Sequence, residues 1–220
     1  MLPTVYLRTS ILLLVFLLTA CSQKQEEESL PYYNSADFTP LFFQTKQEAD
    51  AKVKHTLKTF SFLDQDRNTI TDKNIEGKIH VANFVFTSCG NICPVMTEQM
   101  GRVSKAFQND KSVVILSYSV TPWIDTPEKL KAYKTGKGIK NVNWHFLTGD
   151  KASIYSLART SYFAEESLGF TKDSTQFLHT EHFVLVDSSK RIRGIYNGTL
   201  QLEAEQLIKD IKKLKEEEVL

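Results

Sequence analysis

The chain has 220 residues and an ordinary globular composition, with 41% hydrophobic and 24% charged side chains. Its 27 Lys and Arg residues nearly balance its 26 Asp and Glu residues, so the formal net charge is +1. The lack of a basic excess argues against nucleic-acid binding, and the lack of an acidic excess argues against a disordered, solvating chain. The length suits one domain and a targeting segment.

The first predicted element is an export signal over residues 1–20. Arg8 precedes an apolar run from Ile11 to Leu18, which is too short to span a bilayer as a helix. The run ends at Leu18-Thr19-Ala20-Cys21, which resembles a bacterial lipobox, where cleavage leaves the cysteine to carry a lipid. We therefore expect Cys21 to be lipidated, with the protein anchored in the bacterial cell envelope and its domain outside the cytoplasm. The alternatives are an uncleaved anchor, or an ordinary signal peptide followed by a chance cysteine.

Residues 21–53 are predicted to be an acidic and polar tether, and residues 54–220 are predicted to be the folded domain. The stretch after Cys21 is dominated by Gln and Glu and shows no helical or strand period. At the start of the domain, apolar and polar residues alternate from Thr59 to Leu63 and again around Ile70. Turn residues from Asp64 to Asn68 separate the two stretches, so this part is predicted to be a β-hairpin.

The rest of the domain alternates short buried strands with helices. Strands are predicted at Ile79–Phe86, Ser112–Val120, Trp144–Leu147, Phe183–Asp187 and Ile192–Tyr196. Helices are predicted from Pro94 to Gln108, from Thr126 as N-cap with Pro127 in the first turn, from Asp150 as cap through Ala164, and from Leu202 to Glu217. This order predicts an α/β fold, with a central mixed sheet flanked by helices on both faces. It fits a thioredoxin-like fold with an N-terminal hairpin extension.

The segment Phe86-Thr87-Ser88-Cys89-Gly90-Asn91-Ile92-Cys93-Pro94 lies where a buried strand is followed by a helix. Such a turn exposes side chains at the carboxyl edge of the sheet, and a helix N-terminus favours thiolate over thiol. Cys93 is expected in the first helical turn, and Cys89 in the loop before it. Two neighbouring thiolates suit a thiophilic metal, or form a dithiol that oxidises readily. A structural disulfide in an exported protein is the other interpretation.

The spacing of the two cysteines distinguishes among these uses. Three residues separate them, whereas thiol-disulfide oxidoreductases of this fold usually have two. The longer loop lets both sulfurs point at one external ion while still reaching each other. A structural zinc site normally needs four ligands, and the sequence has no second cysteine pair. Two sulfurs and one imidazole suit copper best, as Cu(I) or Cu(II). His179 and His182 precede the strand at Phe183, in a loop that can lie beside the cysteine loop.

Several segments resemble the Sco (SenC/PrrC) family of the thioredoxin-like superfamily. They are Phe84 to Pro94, with the patterns Phe-x-x-Thr and Cys-x-x-x-Cys-Pro, then Asp125-Thr126-Pro127-Glu128-Lys129-Leu130, His179 four residues before Phe183, and Tyr196-Asn197-Gly198. The resemblance covers roughly Thr59 to the C-terminus. It implies that Cys89, Cys93 and His179 bind one copper ion. It also implies a metallochaperone that delivers copper to the dinuclear copper centre of cytochrome c oxidase during assembly.

The resemblance also implies partners and leaves a second function open. The expected partners are the copper-receiving subunit of cytochrome c oxidase, other copper chaperones or thioredoxin-like reductants, and a membrane through the lipid anchor. In the second function, Cys89 and Cys93 form a redox pair that keeps the target cysteines reduced, so enzyme activity stays an open question. Peroxidase activity is disfavoured, because Phe86 stands where a peroxidatic cysteine usually has a threonine.

Three further points qualify the expected site. His182 is expected to be structural or to support the site, with the alternative that it replaces His179. Gly90-Asn91 stands where family members often have Pro-Asp, which removes a carboxylate beside the metal and can alter affinity or redox poise. Thr121-Pro122 replaces a common Asp-Pro, a departure that bears mainly on partner docking.

Overall fold

The computed structural model describes residues 29–164 and 180–218. Its strands are β1 (Tyr32–Tyr33), β2 (Pro40–Leu41), β3 (Ser61–Asp64), β4 (Thr69–Thr71), β5 (Ile79–Val85), β6 (Val113–Ser119), β7 (Trp144–Thr148), β8 (His182–Val186) and β9 (Ile192–Asn197). Its α-helices are α1 (Lys46–Lys52), α2 (Ile92–Ala106), α3 (Pro127–Gly136), α4 (Lys151–Ser161) and α5 (Gln201–Glu218), with a short 3-10 helix at Asp72–Ile75. In this part of the chain, the strands form one sheet in the order β2-β1-β9-β8-β5-β6-β7-β3-β4.

Strands β5 and β6 form the centre of the sheet. Every residue of both strands is buried, as is typical of parallel strands covered on both faces. β5 pairs in parallel with β6, β6 pairs in parallel with β7, and β8 runs antiparallel on the other side of β5. The carboxyl ends of β5, β6 and β7 therefore lie at one edge of the sheet, which we call the carboxyl edge.

Successive residues of the central strands point to opposite faces, and each face has its own hydrophobic core. Val81 and Ile115 pack on the face covered by α2, α3 and α5. Their neighbours Ala82 and Leu116 pack on the face covered by α4. The observed mixed sheet, flanked by helices on both faces, confirms the predicted fold class.

The predicted hairpin and the predicted helix caps Thr126 and Asp150 are also confirmed, whereas the helix predicted from Pro94 begins two residues earlier, at Ile92. β3 and β4 pair antiparallel, and Asp64 Oδ1 closes their turn by accepting the backbone N–H groups of residues 66 and 68. Thr126 and Asp150 cap α3 and α4 through their side chains. α4 ends at Ser161 rather than at Ala164, because Phe163 adopts a left-handed backbone conformation with φ of 53°.

Residues 29–53 differ from the expected tether, because they are packed on the domain. β1 joins the sheet by pairing with β9, and Thr45 caps α1. Arg193, a buried residue of β9, donates to the carbonyl oxygens of Leu30 and Pro31 at 2.8 and 3.1 Å. Its guanidinium carbon lies 3.9 Å from the centroid of the Tyr32 ring. The chain is thus held to the sheet from Leu30 onward.

The predicted signal peptide, residues 21–28 of the predicted tether and the expected lipid site Cys21 lie outside the described residues. Within the described ranges, no helix has both the length and the apolar character needed to cross a membrane.

Candidate metal centre

The two cysteines lie at the carboxyl edge, at the connection between β5 and α2. Cys89 is in the connecting loop, and its N–H donates to the Phe86 carbonyl at 3.1 Å. Cys93 is the second residue of α2. Both are free thiols and both are partly exposed. The predicted placement of Cys93 in the first helical turn and of Cys89 in the loop is confirmed.

The sulfur of Cys89 occupies the N-terminus of α2. The N-cap residue Asn91 makes no side-chain capping bond. Instead, the Cys89 sulfur accepts the N–H groups of Cys93, Asn91 and Ile92, and these hydrogen bonds lower the pKa of the Cys89 thiol. A thiolate here satisfies donors that otherwise lack a partner within the helix.

Cys93 has the opposite character. Burial, together with the hydrogen bond to Cys89 and the nearby charges of Cys89 and Asp125, raises the pKa of the Cys93 thiol to about 11. The Cys93 S–H group donates to the Cys89 sulfur, so the two sulfur atoms are within hydrogen-bonding reach. In the metal-free pair, Cys89 is therefore the thiol that ionises more readily.

A buried carboxylate lies directly behind this loop. Asp125 is fully buried, and its Oδ2 accepts the hydroxyls of Ser119 at 2.6 Å and Thr121 at 3.0 Å. Thr87, two residues before Cys89, donates its hydroxyl to Asp125 Oδ1. Thr121, noted above as a departure from the family pattern, thus supplies a neutral donor to this carboxylate.

Two side chains of α3 complete the surroundings of the loop. Lys129 Nζ donates to Ser88 Oγ at 2.8 Å and lies 3.8 Å from Asp125 Oδ1. Tyr133 OH lies 2.8 Å from Thr97 Oγ1, and the Thr97 hydroxyl donates to the Cys93 carbonyl at 2.8 Å. Burial raises the pKa of Tyr133, and the charges of the two cysteines add to the effect. The phenol therefore stays neutral and acts as a hydrogen-bond donor.

The expected third ligand, His179, lies outside the described residues. The described chain resumes at Thr180 and enters β8 at His182. Because β8 runs antiparallel to β5, with Val184 opposite Ala82, it enters the sheet on the side of the carboxyl edge. In the described ranges, no group of three or more His, Cys, Asp or Glu side chains is arranged to hold a metal ion. His179 stays a prediction.

The other four histidines have structural surroundings. His182 is half-buried and packs edge-on against Phe38, with ring centroids 5.6 Å apart, and its burial lowers its pKa. This agrees with the expected structural role. The remaining three make hydrogen bonds within the domain, namely His55 to the Ser161 carbonyl, His80 to the Tyr162 hydroxyl and His145 to the Asp64 carboxylate.

The residues that support the loop were not identified from the sequence. Asp125 was noted only as part of a family motif, and an acidic residue before a helix N-cap looks like ordinary helix-start chemistry. A usable signal was present in Thr87 and Ser88, two hydroxyl residues placed directly after a fully buried strand. Thr87 is partly buried and its hydroxyl needs a partner, which Asp125 supplies from the loop between β6 and α3, while Lys129 of α3 bonds the exposed Ser88.

The donor set fits a thiophilic ion. Two sulfurs lie within reach of each other at a partly exposed edge, and backbone amides already favour charge on one of them. Soft thiolate ligands of this kind select Cu(I) over the hard cations that carboxylates prefer.

The chain is similar in sequence and structure to known proteins of one family. The family model SCO1/SenC matches residues 48–216. A SCO1/SenC family lipoprotein from Bacillus anthracis is 32% identical with a TM-score of 0.64, over 74% of this chain and 96% of that one. BsSco, described as a Sco family cytochrome c oxidase assembly protein with a disulfide switch, is 29% identical with a TM-score of 0.62, over 74% and 94%. Copper-bound ScoI of Bradyrhizobium japonicum is 26% identical with a TM-score of 0.58, over 72% and 99%. These similarities confirm the predicted thioredoxin-like fold.

Proposed function

Because the chain belongs to the SCO1/SenC family, we propose that it is a copper metallochaperone for the dinuclear copper centre of cytochrome c oxidase. It binds one copper ion through Cys89, Cys93 and His179. The observation that carries the proposal is the pair of adjacent sulfurs at the mouth of α2, where amide groups stabilise a thiolate and solvent reaches the site. The copper-bound ScoI relative supports copper as the ion.

The different acidities of the two cysteines support a site that binds copper and then releases it. Binding to both sulfurs displaces the proton that Cys93 shares with Cys89, so copper uptake competes with protons. Cys89 loses its proton more readily, because backbone amides stabilise its thiolate. An acceptor that offers its own thiolates replaces the protein ligands one at a time, and the partly exposed edge allows it to approach.

Copper stoichiometry in single variants of the purified protein tests the ligand set. Cys89→Ser, Cys93→Ser and His179→Ala are each expected to abolish stoichiometric copper binding, because each removes a ligand. His182→Ala is the matched control, since this histidine packs on Phe38, and it should keep one copper ion per chain. Full copper binding by His179→Ala would dispose of the three-ligand site, and loss in His182→Ala alone would move the imidazole ligand to that residue.

A second candidate function is thiol-disulfide exchange that keeps the target cysteines reduced. The unequal acidity of the two thiols favours it, and BsSco is described as containing a disulfide switch. The Cys89 thiolate attacks a target disulfide, and one target thiolate leaves. Cys93 then loses its proton and attacks Cys89, which releases the second target thiolate and forms a Cys89–Cys93 disulfide. A thioredoxin-like dithiol must supply the two electrons that restore the pair.

Trapping of mixed disulfides distinguishes this function from copper delivery alone. Cys93→Ser removes the resolving thiol, so a target joined to Cys89 should accumulate and be released by a reductant. Cys89→Ser is the control, because the remaining Cys93 thiol ionises poorly. Absence of any mixed disulfide in the Cys93→Ser protein would leave copper delivery as the only function.

We also propose that Cys21 carries a lipid that anchors the domain outside the cytoplasm. The lipobox-like segment supports this, as does the B. anthracis relative, which is a lipoprotein. Metabolic labelling with a fatty acid, followed by membrane fractionation, provides the test. Wild-type protein should be labelled and should sediment with membranes, whereas Cys21→Ser should be unlabelled. Equal labelling of both proteins would refute lipidation at this residue.

A further inference from the structure

The carboxylate of Asp125 joins three separate segments of the chain at one buried point. Its Oδ2 accepts Ser119 Oγ at the end of β6 and Thr121 Oγ1 in the following loop. The Thr87 hydroxyl donates to Oδ1, and the Thr87 N–H is 3.4 Å from Oδ2. Thr87 lies just after β5, so this one carboxylate connects the carboxyl ends of the two central strands.

The hydrogen-bond network around Asp125 also reaches Ser88, the residue next to Cys89. Lys129 Nζ lies 3.8 Å from Asp125 Oδ1 and donates to Ser88 Oγ at 2.8 Å. Thr87 and Ser88, the two residues directly before Cys89, are therefore both held through side chains. The N–H of the preceding residue, Phe86, donates to the Cys93 sulfur, so the backbone that Asp125 holds also contacts the second cysteine.

We infer that Asp125 is a positioning residue, which fixes the distance and direction between the two cysteine sulfurs by holding Thr87 in place. The inference deepens the proposed function and rests on it. Asp125 is not assigned a contact with the metal ion. It acts through Thr87 and, with Lys129, through Ser88.

The hydrogen bonds that Asp125 accepts explain why a carboxylate occupies this position. Three hydroxyls and one amide N–H point at its two oxygens, and an ionised carboxylate only accepts hydrogen bonds. Hydrogen bonds to an ionised group are stronger than those between neutral groups. An asparagine of the same shape would direct an NH₂ group at donors, so at least one hydroxyl would have to turn away and the Thr87 contact would loosen.

Asp187 provides a matched comparison, because it is also a buried carboxylate. Its Oδ1 accepts the N–H groups of Ser189 and Arg191 within the β8–β9 turn, and its Oδ2 lies 3.5 Å from Arg193. It closes a local turn at the edge of the sheet opposite the cysteines. Replacing it perturbs stability without touching the cysteine loop.

The test combines copper affinity with thiol reactivity of the metal-free protein. Cu(I) affinity is measured by competition with a chromogenic chelator, and the rate of Cys93 alkylation by iodoacetamide is measured by peptide mass spectrometry. Replacing a residue that orients a metal ligand typically costs roughly ten- to a hundredfold in affinity, and we expect a loss in this range for Asp125→Asn. In Asp125→Asn two effects on Cys93 oppose each other, because loss of the Phe86 N–H raises the pKa of its thiol and loss of the Asp125 charge lowers it. The alkylation rate is therefore interpreted in the Thr87 variants, which keep the Asp125 charge. Asp187→Asn should keep the wild-type affinity and alkylation rate.

A second pair of variants separates position from charge and covers the case in which Asp125→Asn does not fold. Thr87→Val removes the hydroxyl but leaves the Asp125 charge. It should weaken Cu(I) binding and slow Cys93 alkylation, because the Phe86 N–H that stabilises the Cys93 thiolate is no longer held in place. Thr87→Ser keeps the hydroxyl and should behave as wild type. Wild-type affinity and alkylation in Thr87→Val would overturn the inference. Failure of the wild-type protein to bind copper would instead overturn the proposed function, and the alkylation rates would still test the positioning role.

Discussion

The contrast between the two thiols leads to a quantitative prediction about their reactivity. Cys89 accepts three backbone N–H groups at a helix N-terminus, which lowers its pKa, whereas burial raises the pKa of Cys93 from 9.0 to about 11. Alkylation requires the thiolate. We therefore expect a limiting amount of iodoacetamide to modify Cys89 well before Cys93.

The magnitude follows from the pKa of Cys93. At pH 7, a rise of two pKa units reduces its thiolate fraction about 100-fold relative to an ordinary cysteine. The more basic thiolate is more nucleophilic, and a Brønsted slope of about 0.4–0.5 returns roughly six- to tenfold of this loss. Cys93 should thus react roughly 10–15 times more slowly than an ordinary cysteine. Cys89 should react faster than an ordinary cysteine, so the ratio between them exceeds tenfold.

Peptide mass spectrometry on the metal-free, reduced protein measures both rates in one sample. The rate of Cys93 should keep rising as the pH approaches about 11, whereas that of Cys89 should level off at a lower pH than an ordinary thiol. A short unstructured peptide with one cysteine gives the reference rate. Equal rates for Cys89 and Cys93 at pH 7, or faster reaction of Cys93, would refute the assignment of Cys89 as the more acidic thiol.

Two predictions concern the stability of the fold that surrounds the site. Arg193→Met leaves the buried Asp187 and the partly exposed Glu217 without their cation, so urea unfolding should show a loss of about 3–5 kcal/mol and proteases should cleave near Leu30. The exposed pair lost in the control Lys52→Met should cost less than about 1 kcal/mol. A small loss in Arg193→Met would contradict the attachment of the N-terminal segment. Burial lowers the pKa of His80 from 6.5 to about 3, so between these pH values only the unfolded chain gains this proton. Urea unfolding should show a stability loss of about 1.6 kcal/mol between pH 6.5 and 5, which His80→Phe removes. An unchanged pH dependence in His80→Phe would contradict this assignment.

The sequence was sufficient for those parts of the fold whose causes are local. The buried apolar runs of β5 and β6 identified the central strands, and Thr126 and Asp150 marked helix starts because their side chains accept N–H groups three residues on. The position of Cys93 in the first turn of α2 followed from the order of strand, loop and helix. These features depend on neighbours in the chain, so short sequence patterns report them.

The remaining features depend on residues far apart in the chain. The N-terminal segment shows no period of its own, and Arg193, more than 150 residues away, attaches it to the sheet. Only α1 had a local signal, since Thr45 and Glu48 have the spacing of a helix cap. The partners of Asp125 likewise come from the ends of two strands that are adjacent in space but separated in sequence by a helix. No pattern in the sequence states that pairing.

X-ray absorption spectroscopy of the copper-loaded protein tests the central claim most directly, because it counts the sulfur and nitrogen atoms bound to copper. We expect two sulfur ligands and one histidine nitrogen in the wild-type protein, one sulfur in either Cys89→Ser or Cys93→Ser if residual copper is retained, and no histidine nitrogen in His179→Ala. A wild-type spectrum with fewer than two sulfurs, or an unchanged histidine signal in His179→Ala, would contradict the proposed copper site.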